Sequence, residues 1–401
     1  MTAISDLLNK TLKILFVVFA FSLIAFNLLN KSEQHYVLLA QSFMHGKLYF
    51  VNLPESLSDT MKFQDKYYWP NPPFPAVLVM PFVLLFSYFG LTFYQGYMSL
   101  VLIAGTIVVL YKLLKDICYK DDIYFWIYGF TFSTAFIGVA TRPWSWFFAH
   151  VVSVFLIFLA YLLFKRGISL IYIGIIFGLI ALTRFTAGLG IVFYILTLIV
   201  DSKLEKKLLM GMLSNLLKLL IPFFIILGML FLYNFARYGT WKEIGYSKNN
   251  LLSVHVPDRE YGVFSFKHLP GNLYYFFLSF PKPVLIEGTH VFKFPYILAD
   301  PWGNSIFLTS PFFLLLFTYS YKKRSSLILL FSALFISIPI LLYFGIGYRQ
   351  FGYKYSLDFL PYLFILLVSE YSSKNKQLSL KMKSLIILTS LVNYYLMTSG
   401  A

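Results

Sequence analysis

Apolar runs succeed one another from end to end of this chain, separated by short polar breaks, and that pattern limits what it can fold into. Only 12% of its residues are charged and 59% are hydrophobic, with a mean hydropathy of +0.73, whereas an ordinary soluble domain is about 25% charged. The pattern is that of a polytopic membrane protein. Low-complexity tails and internal repeats are absent. The single cysteine, Cys118, excludes an intrachain disulfide and a cysteine-based metal site. A formal charge of +16 would point to nucleic acid in a soluble protein. Here it reads as a membrane-orientation signal, with no nucleic acid involved.

Spans are expected at 13–30, 92–113, 123–140, 147–164, 168–183, 187–201, 214–234, 306–321, 326–345, 356–370 and 384–399, eleven in all. The first follows Lys10 and Lys13 but lacks a small-residue cleavage site, so it reads as an uncleaved span. The run 75–90 is about 16 residues long and carries Pro81, so it is either a twelfth span or a helix lying at the interface. The positive-inside rule decides between them. With 75–90 interfacial and the N-terminus cytoplasmic, the clusters "YKLLKDICYKDD", "KRG", "DSKLEKK", "YKKRSS" and "SSKNKQLSLKMK" all face inward. A full span at 75–90 would turn them outward. The expected architecture is therefore an all-α polytopic bundle forming one integral membrane domain over 1–401. Two large outer loops, 31–91 and 235–305, carry interfacial helices, and the remaining spans fill 92–234 and 306–399.

After the first span, apolar residues at Val37, Leu38, Ala40 and Phe43 follow helical spacing from Glu33, and Gly46 closes the helix. Glu33 in the first turn has two readings: a cap or solvated anchor, or a carboxylate at the lipid boundary able to take a proton from an acceptor hydroxyl. The following loop adds Glu55, Asp59 and Asp65. "ATRPWSWFFAH" places Arg142 and His150 beside tryptophans, and ionisable groups at such depth usually serve something. "ALTRFTAG" adds Arg184; "GYRQFGYKYSLDFLP" adds Arg349, Tyr353, Lys354, Tyr355 and Asp358. Cations spread over separate short outer loops suit a lipid-linked phosphate or pyrophosphate as well as they suit headgroup anchoring. "LPGNLYYFFLSF" has the character of an aromatic interfacial helix.

An acid at the outer end of the first span, then "YVLLAQSFMHGKLYF", then "YYWPNPPFPAVLVMPFVLLFSYFG", resembles the opening of bacterial GT-C glycosyltransferases. The resemblance is to the branch related to protein O-mannosyltransferases and the lipid A aminoarabinose transferase. "ALTRFTAG", "YNFARYGTWKEIGYS", "YGVFSFKHLPGNLYYFFLSFPKP" and "GYRQFGYKYSLDFLPYL" are also similar to segments of that branch, in order along nearly the whole chain.

The resemblance implies transfer of a sugar from a polyprenyl-phosphate donor to an acceptor hydroxyl on the outer face of the cell membrane. It makes Glu33 the candidate base, with Asp59 and Asp65 as alternatives. Arg184, Arg349 and Lys354 become candidates for the donor phosphate, and His150, Arg142, Tyr67, Tyr68 and Tyr353 for other substrate contacts. The chain departs from the pattern in two places. Ser32-Glu33 stands where relatives often have two adjacent acids, and the second outer loop has Arg142 and His150 where an acid is common. No cofactor is implied; the isolated acids give no ligand spacing and leave a divalent metal open. The donor sugar and the acceptor, whether lipid, glycan or protein, are open too. A polysaccharide polymerase or ligase is a rival reading, and so is a transporter or lipid flippase, which would carry ionisable groups near the bilayer midplane. Pro70, Pro72, Pro73 and Pro75 stiffen the approach to the 75–90 helix, which with the 33–46 helix would wall a cleft for the lipid carrier. Pro72→Ala with Pro73→Ala is expected to lower turnover while the protein still accumulates; unchanged turnover would remove the hinge from the account.

Overall fold

The computed structural model describes residues 2–204, 209–241, 243, 245 and 255–399. The basic cluster at 205–208 and residues 242, 244 and 246–254 of the second large loop lie outside the described residues. The chain opens with α1 (Thr2–Leu29). The first large loop then holds α2 (His35–Met44), a hairpin of β1 (Met61–Phe63) with β2 (Lys66–Tyr68), and α3 (Phe74–Tyr88). Next come α4 (Gln95–Leu114), α5 (Ile123–Phe132), α6 (Phe136–Ala140), α7 (Ser145–Lys165) and α8 (Leu170–Ala181). They are followed by α9 (Phe185–Gly188), α10 (Ile191–Leu204) and α11 (Leu209–Tyr238). The second large loop contains α12 (Val256–Arg259), α13 (Leu269–Phe277) and a second hairpin, β3 (Lys282–Leu285) with β4 (Phe292–Leu298). The chain finishes with α14 (Ile306–Thr309), α15 (Arg324–Leu342), α16 (Leu360–Lys374) and α17 (Leu380–Ser399).

Two hairpins correct the all-α expectation. The strands of the first hairpin, three residues each, are too short to show the alternation that betrays a strand in sequence. β1 and β2 join through Gln64 and Asp65, both left-handed (φ 47° and 58°), the backbone that a two-residue hairpin turn needs.

Six described segments are long and apolar enough to cross a membrane: Ile4–Leu29, Gln95–Leu114, Ser145–Lys165, Phe185–Ser202, Leu209–Tyr238 and Arg324–Leu342. This makes the chain a multi-pass membrane protein. The other expected crossings are shorter, broken or more polar. The 123–140 run breaks between α5 and α6. There Thr134 Oγ1 donates to Phe130 O at 2.7 Å and accepts from Phe136 N at 3.1 Å, and such local side-chain bonds compete with the helix ladder. The 306–321 run breaks at Pro311 and continues as a 3-10 stretch, Pro311–Thr318. Both breaks free backbone carbonyls in the apolar interior, and Asn393 of α17 takes one from each. Its Nδ2 donates to Thr309 O at 2.9 Å and to Phe132 O at 3.3 Å. Broken helices at membrane depth need such a partner.

The loops sort into two sets at opposite ends of the helices. At one end Arg166 pairs with Asp116 at 3.1 Å, Leu378 N donates to Asp122 at 2.7 Å, and Lys374 lies over the Tyr319 ring. That end carries the basic clusters that fall among the described residues. At the other end both large loops meet the 140–145, 181–191 and 342–360 turns: Ser145 N donates to Glu33 O, Phe74 N to Leu182 O, and Asn304 N to Phe351 O. The polar side chains singled out in the sequence gather here.

α3 has 15 residues, about 22 Å of helix, which falls short of the ~30 Å of a bilayer core. It buries Pro75, Ala76, Val79 and Val83 and packs on α2, while Val77, Phe82, Leu84 and Leu85 face outward. The stretch before it is pinned on both sides. Trp69 is fully buried and stacked on the His35 ring at 4.1 Å, and Arg237 Nη1, from the end of α11, donates to Trp69 O at 2.6 Å. Buried apolar side chains from α1 to α17 form one contiguous cluster through the bundle.

Asn393→Leu strands the Thr309 and Phe132 carbonyls, at about 1–3 kcal/mol for each buried group left unsatisfied. The expected outcome is a lower thermal midpoint in detergent, and an unchanged midpoint would show that the broken segments find other partners.

Candidate active site

The polar tract at the loop end is built around two carboxylate-centred groups joined by Lys354. The first is Asp358, whose side chain is 0% exposed. Arg184 donates to it through Nε at 2.6 Å and Nη2 at 2.9 Å, and the Thr186 hydroxyl donates to Oδ2. His150 Nδ1, from α7, lies 3.6 Å from Oδ1. Lys354 lies one 3-10 turn earlier, buried, with Nζ over the rings of Phe147 at 5.0 Å and Tyr355 at 5.4 Å. Arg184 also lies over Tyr355, at 5.4 Å. Cations over aromatic faces stay charged with less water around them.

The second group is Glu33 with Asp59. The Glu33 carbonyl accepts from Ser145 Oγ at 2.7 Å, Ser145 N at 3.1 Å and Gln95 Nε2 at 3.3 Å. Gln95, fully buried at the start of α4, also donates to Pro143 O at 2.8 Å and accepts from Tyr36 N at 3.0 Å. These bonds hold Glu33 in the left-handed region, at φ 54°. Asp59 (61°) and Arg349 (52°) are left-handed as well. A non-glycine residue there costs of order 1–3 kcal/mol and persists only where the surroundings impose it, most often at functional sites. Half of the six non-glycine positions with positive φ among the described residues thus fall in this small region.

The electrostatics tie the groups together. Burial pushes the Glu33 carboxyl above its ordinary value; Asp59 and Glu55 push it the same way and Arg349 opposes them. Burial also raises Asp59, against the pull of Lys354 and of the Trp146 indole N–H. Burial brings Lys354 down to about 8, with Asp59 opposing and Arg184 adding to the fall. Burial takes His35 down to about 4, so the imidazole 3.7 Å from the Glu33 carboxylate is neutral at physiological pH. Beneath the carboxylates His35, Trp69 and Trp146 form an aromatic floor, with Trp146 edge-on to His35 at 5.4 Å.

The site residues expected from sequence fare differently. Glu33, Asp59, Arg349 and Lys354 form an electrostatic chain in which the two neighbouring carboxylates are flanked by Arg349 on the Glu33 side and Lys354 on the Asp59 side. Arg142 joins its edge, its Nη1 donating to Arg349 O at 3.2 Å. Arg184 is in the tract, but Nε and Nη2 are committed to Asp358, so it holds the scaffold rather than offering a bidentate fork to phosphate. Asp65 is set apart. Its side chain is 96% exposed at the hairpin tip beside Lys62, so it leaves the candidate set. His150 is fully buried behind Asp358 and is no surface contact. Tyr353 is buried with its hydroxyl donating to Asn272 Oδ1 at 2.9 Å, which docks α13. Tyr68 is buried against Tyr49 and Tyr238, and Tyr67 is half-buried, with its carbonyl taking Phe50 N. Glu33 precedes α2 rather than opening it. Gln95, Trp146 and Thr186 carry no site signal of their own in the sequence, and Asp358 shows there only as one polar residue of its loop. Among the described residues no three His, Cys, Asp or Glu side chains are grouped as metal ligands.

Two solved structures align with the chain, both of the oligosaccharyltransferase of Archaeoglobus fulgidus. The apo enzyme aligns at 15% identity and TM-score 0.44, over 98% of this chain and 56% of that one. The second, AglB in complex with an inhibitory peptide and a dolichol-phosphate, aligns at 13% identity and TM-score 0.46, over 97% and 55%. The chain therefore spans little more than half the length of these enzymes. No protein-family profile matches it, and no curated protein sequence does.

A phosphate-binding role for Lys354 has a definite pH signature. The ammonium is present below about 8 and lost above it, so binding of an anionic lipid is expected to fall as pH rises through that range. In Lys354→Arg, whose guanidinium keeps its proton, the fall is expected to disappear. Binding that stays flat from pH 7 to 9.5 in wild type would take Lys354 out of the site.

Proposed function

We propose that this chain is a membrane glycosyltransferase that moves a sugar from a polyprenyl-phosphate donor to an acceptor hydroxyl on the outer face of the plasma membrane. The N-terminus and the basic loop clusters lie on the cytoplasmic side in this reading. The observation that carries it is the flanking of two half-buried carboxylates, Glu33 and Asp59, by Arg349 and Lys354, with Glu33, Asp59 and Arg349 on left-handed backbone. Sequence resemblance to GT-C enzymes supplies the reaction class. The protein bound to dolichol-phosphate in the second aligned structure is consistent with the donor class proposed.

The chemistry follows from the charges. Glu33 accepts the proton of the acceptor hydroxyl, the oxygen attacks the anomeric carbon, and the bond from that carbon to the phosphate oxygen breaks. The lipid phosphate departs as an anion and needs no strong general acid. Lys354 and Arg349 stabilise the charge that develops on it, the kind of fixed electrostatic help that dominates many active sites. Asp59 replaces in space the second acid that the Ser32-Glu33 pair lacks in sequence. Its charge raises the proton affinity of Glu33, which makes Glu33 a better base at neutral pH. The polar groups gather at one end of the helices, which suits a site at the membrane boundary better than a midplane transport pathway.

The test uses the protein in nanodiscs with radiolabelled polyprenyl-phosphate sugars, following transfer or hydrolysis. Glu33→Gln is expected to keep donor binding and to lower turnover by about 10²-fold or more, the scale of a lost general base. Turnover retained in Glu33→Gln and lost in Asp59→Asn would move the base to Asp59. Turnover retained in both would refute the assignment.

A further inference from the structure

We propose that Trp302, Tyr348 and His255 form the sugar-ring subsite of this centre, an aromatic corner that takes the apolar C–H face of the pyranose carried on the lipid phosphate. The proposal rests on the lipid-linked donor reading above and adds where the sugar sits. Trp302 and Tyr348 are half-buried, with ring centroids 5.1 Å apart and planes inclined at 59°. The His255 ring stands edge-on to both, at 5.3 Å and 6.2 Å. An aromatic face carries partial negative charge and attracts the weakly positive C–H bonds of a sugar. The His255 ring also brings a hydrogen-bonding atom into the corner. Its Nδ1 is buried and has no hydrogen-bond partner among the described residues. Burial and the charge of Lys354 keep this imidazole neutral, so it offers one donor and one acceptor, the complement of a hydroxyl.

The corner is fixed next to the cations by Gln350. Its Nε2 donates to Trp302 O at 2.5 Å and to Ile346 O at 3.0 Å, and its Oε1 accepts from Lys354 N at 3.3 Å. Its backbone N donates to Pro301 O at 3.2 Å. One side chain thus binds the Trp302 turn to the turn that carries Lys354. Two glycines make room for it. Gly303 (φ 99°) and Gly347 (φ 100°) flank Gln350 so closely that a Cβ would meet its amide at 2.9 Å and 2.6 Å. Asn304 completes the joint, with N and Nδ2 donating to Phe351 O at 3.0 Å and 2.8 Å. Tyr348 directly precedes Arg349, so the ring and the proposed phosphate cation are neighbours in the chain. A phosphate held by Lys354 and Arg349 would place the sugar attached to it against these rings.

The experiment compares two probes in nanodiscs, undecaprenyl phosphate and the same lipid phosphate bearing a single hexose, against wild type, Trp302→Ala and Trp302→Phe. The expected result is a loss of about tenfold in affinity for the hexose-bearing lipid in Trp302→Ala. The bare lipid phosphate binds as in wild type, and Trp302→Phe, which keeps an aromatic face, recovers most of the loss. Trp302→Ala that weakens both probes equally, or neither, overturns the subsite while leaving the donor reading standing. Wild type that binds neither probe overturns the donor reading itself, and the subsite with it.

Discussion

The Asp358 carboxylate has no solvent exposure and sits where an isolated charge would be prohibitively costly, yet two other chain segments converge on it. Arg184 and Thr186 reach it from the turn before α10, and His150 from α7. A buried ion pair is tolerated when it is hydrogen-bonded on every side, and removing one partner usually costs several kcal/mol. Here it fixes the turn that carries Lys354 against α7 and α9. The placement of the tract's central cation is a consequence of how Asp358 is satisfied.

A second constraint acts on the opposite wall. Gln95 and Ser145 grip the Glu33 carbonyl, and the Trp69–His35 stack fixes the first large loop beside it. Between the walls lies a tract in which two neighbouring carboxylates are flanked by cations, with burial lifting the acids and lowering Lys354. Each shift moves a group toward the neutral range, where one proton can be taken and one anion held. Placing donor and acceptor between two fixed walls can itself supply much of an acceleration, ~7–11 kcal/mol in favourable systems.

Much of this was legible in the sequence. The apolar runs and the basic clusters set the helix order and the two large loops. Glu33, Arg349 and Lys354 drew attention as charges at the edges of apolar segments. What stayed hidden depended on contact between distant segments. Asp59 and Asp65 read alike as alternative bases in a polar loop, because nothing local tells that a strained turn brings Asp59 to Glu33 and leaves Asp65 in solvent. Asp358 read as a loop residue, since its meaning lies in Arg184, 174 positions away. Tyr353 reads in the sequence as a ring offered to substrate, but its hydroxyl is used inside the fold by Asn272. The helix breaks at Ser133–Thr134 and Pro311 carried a visible signal in residue type. Asn393, a lone amide in an apolar helix, carried the matching one.

The most direct test of the central claim, that the tract between Glu33 and Lys354 is where the lipid phosphate binds, is photo-crosslinking. A polyprenyl phosphate with a diazirine near the phosphate would be irradiated with the protein in nanodiscs and the adducts mapped by mass spectrometry. The account predicts adducts confined to the segments around Glu33–Asp59 and Tyr348–Tyr355, displaced by unlabelled lipid phosphate. Adducts confined instead to the apolar groove between α8 and α11, around Ile171, Leu217 and Ile225, or to the basic end of the bundle, would contradict it.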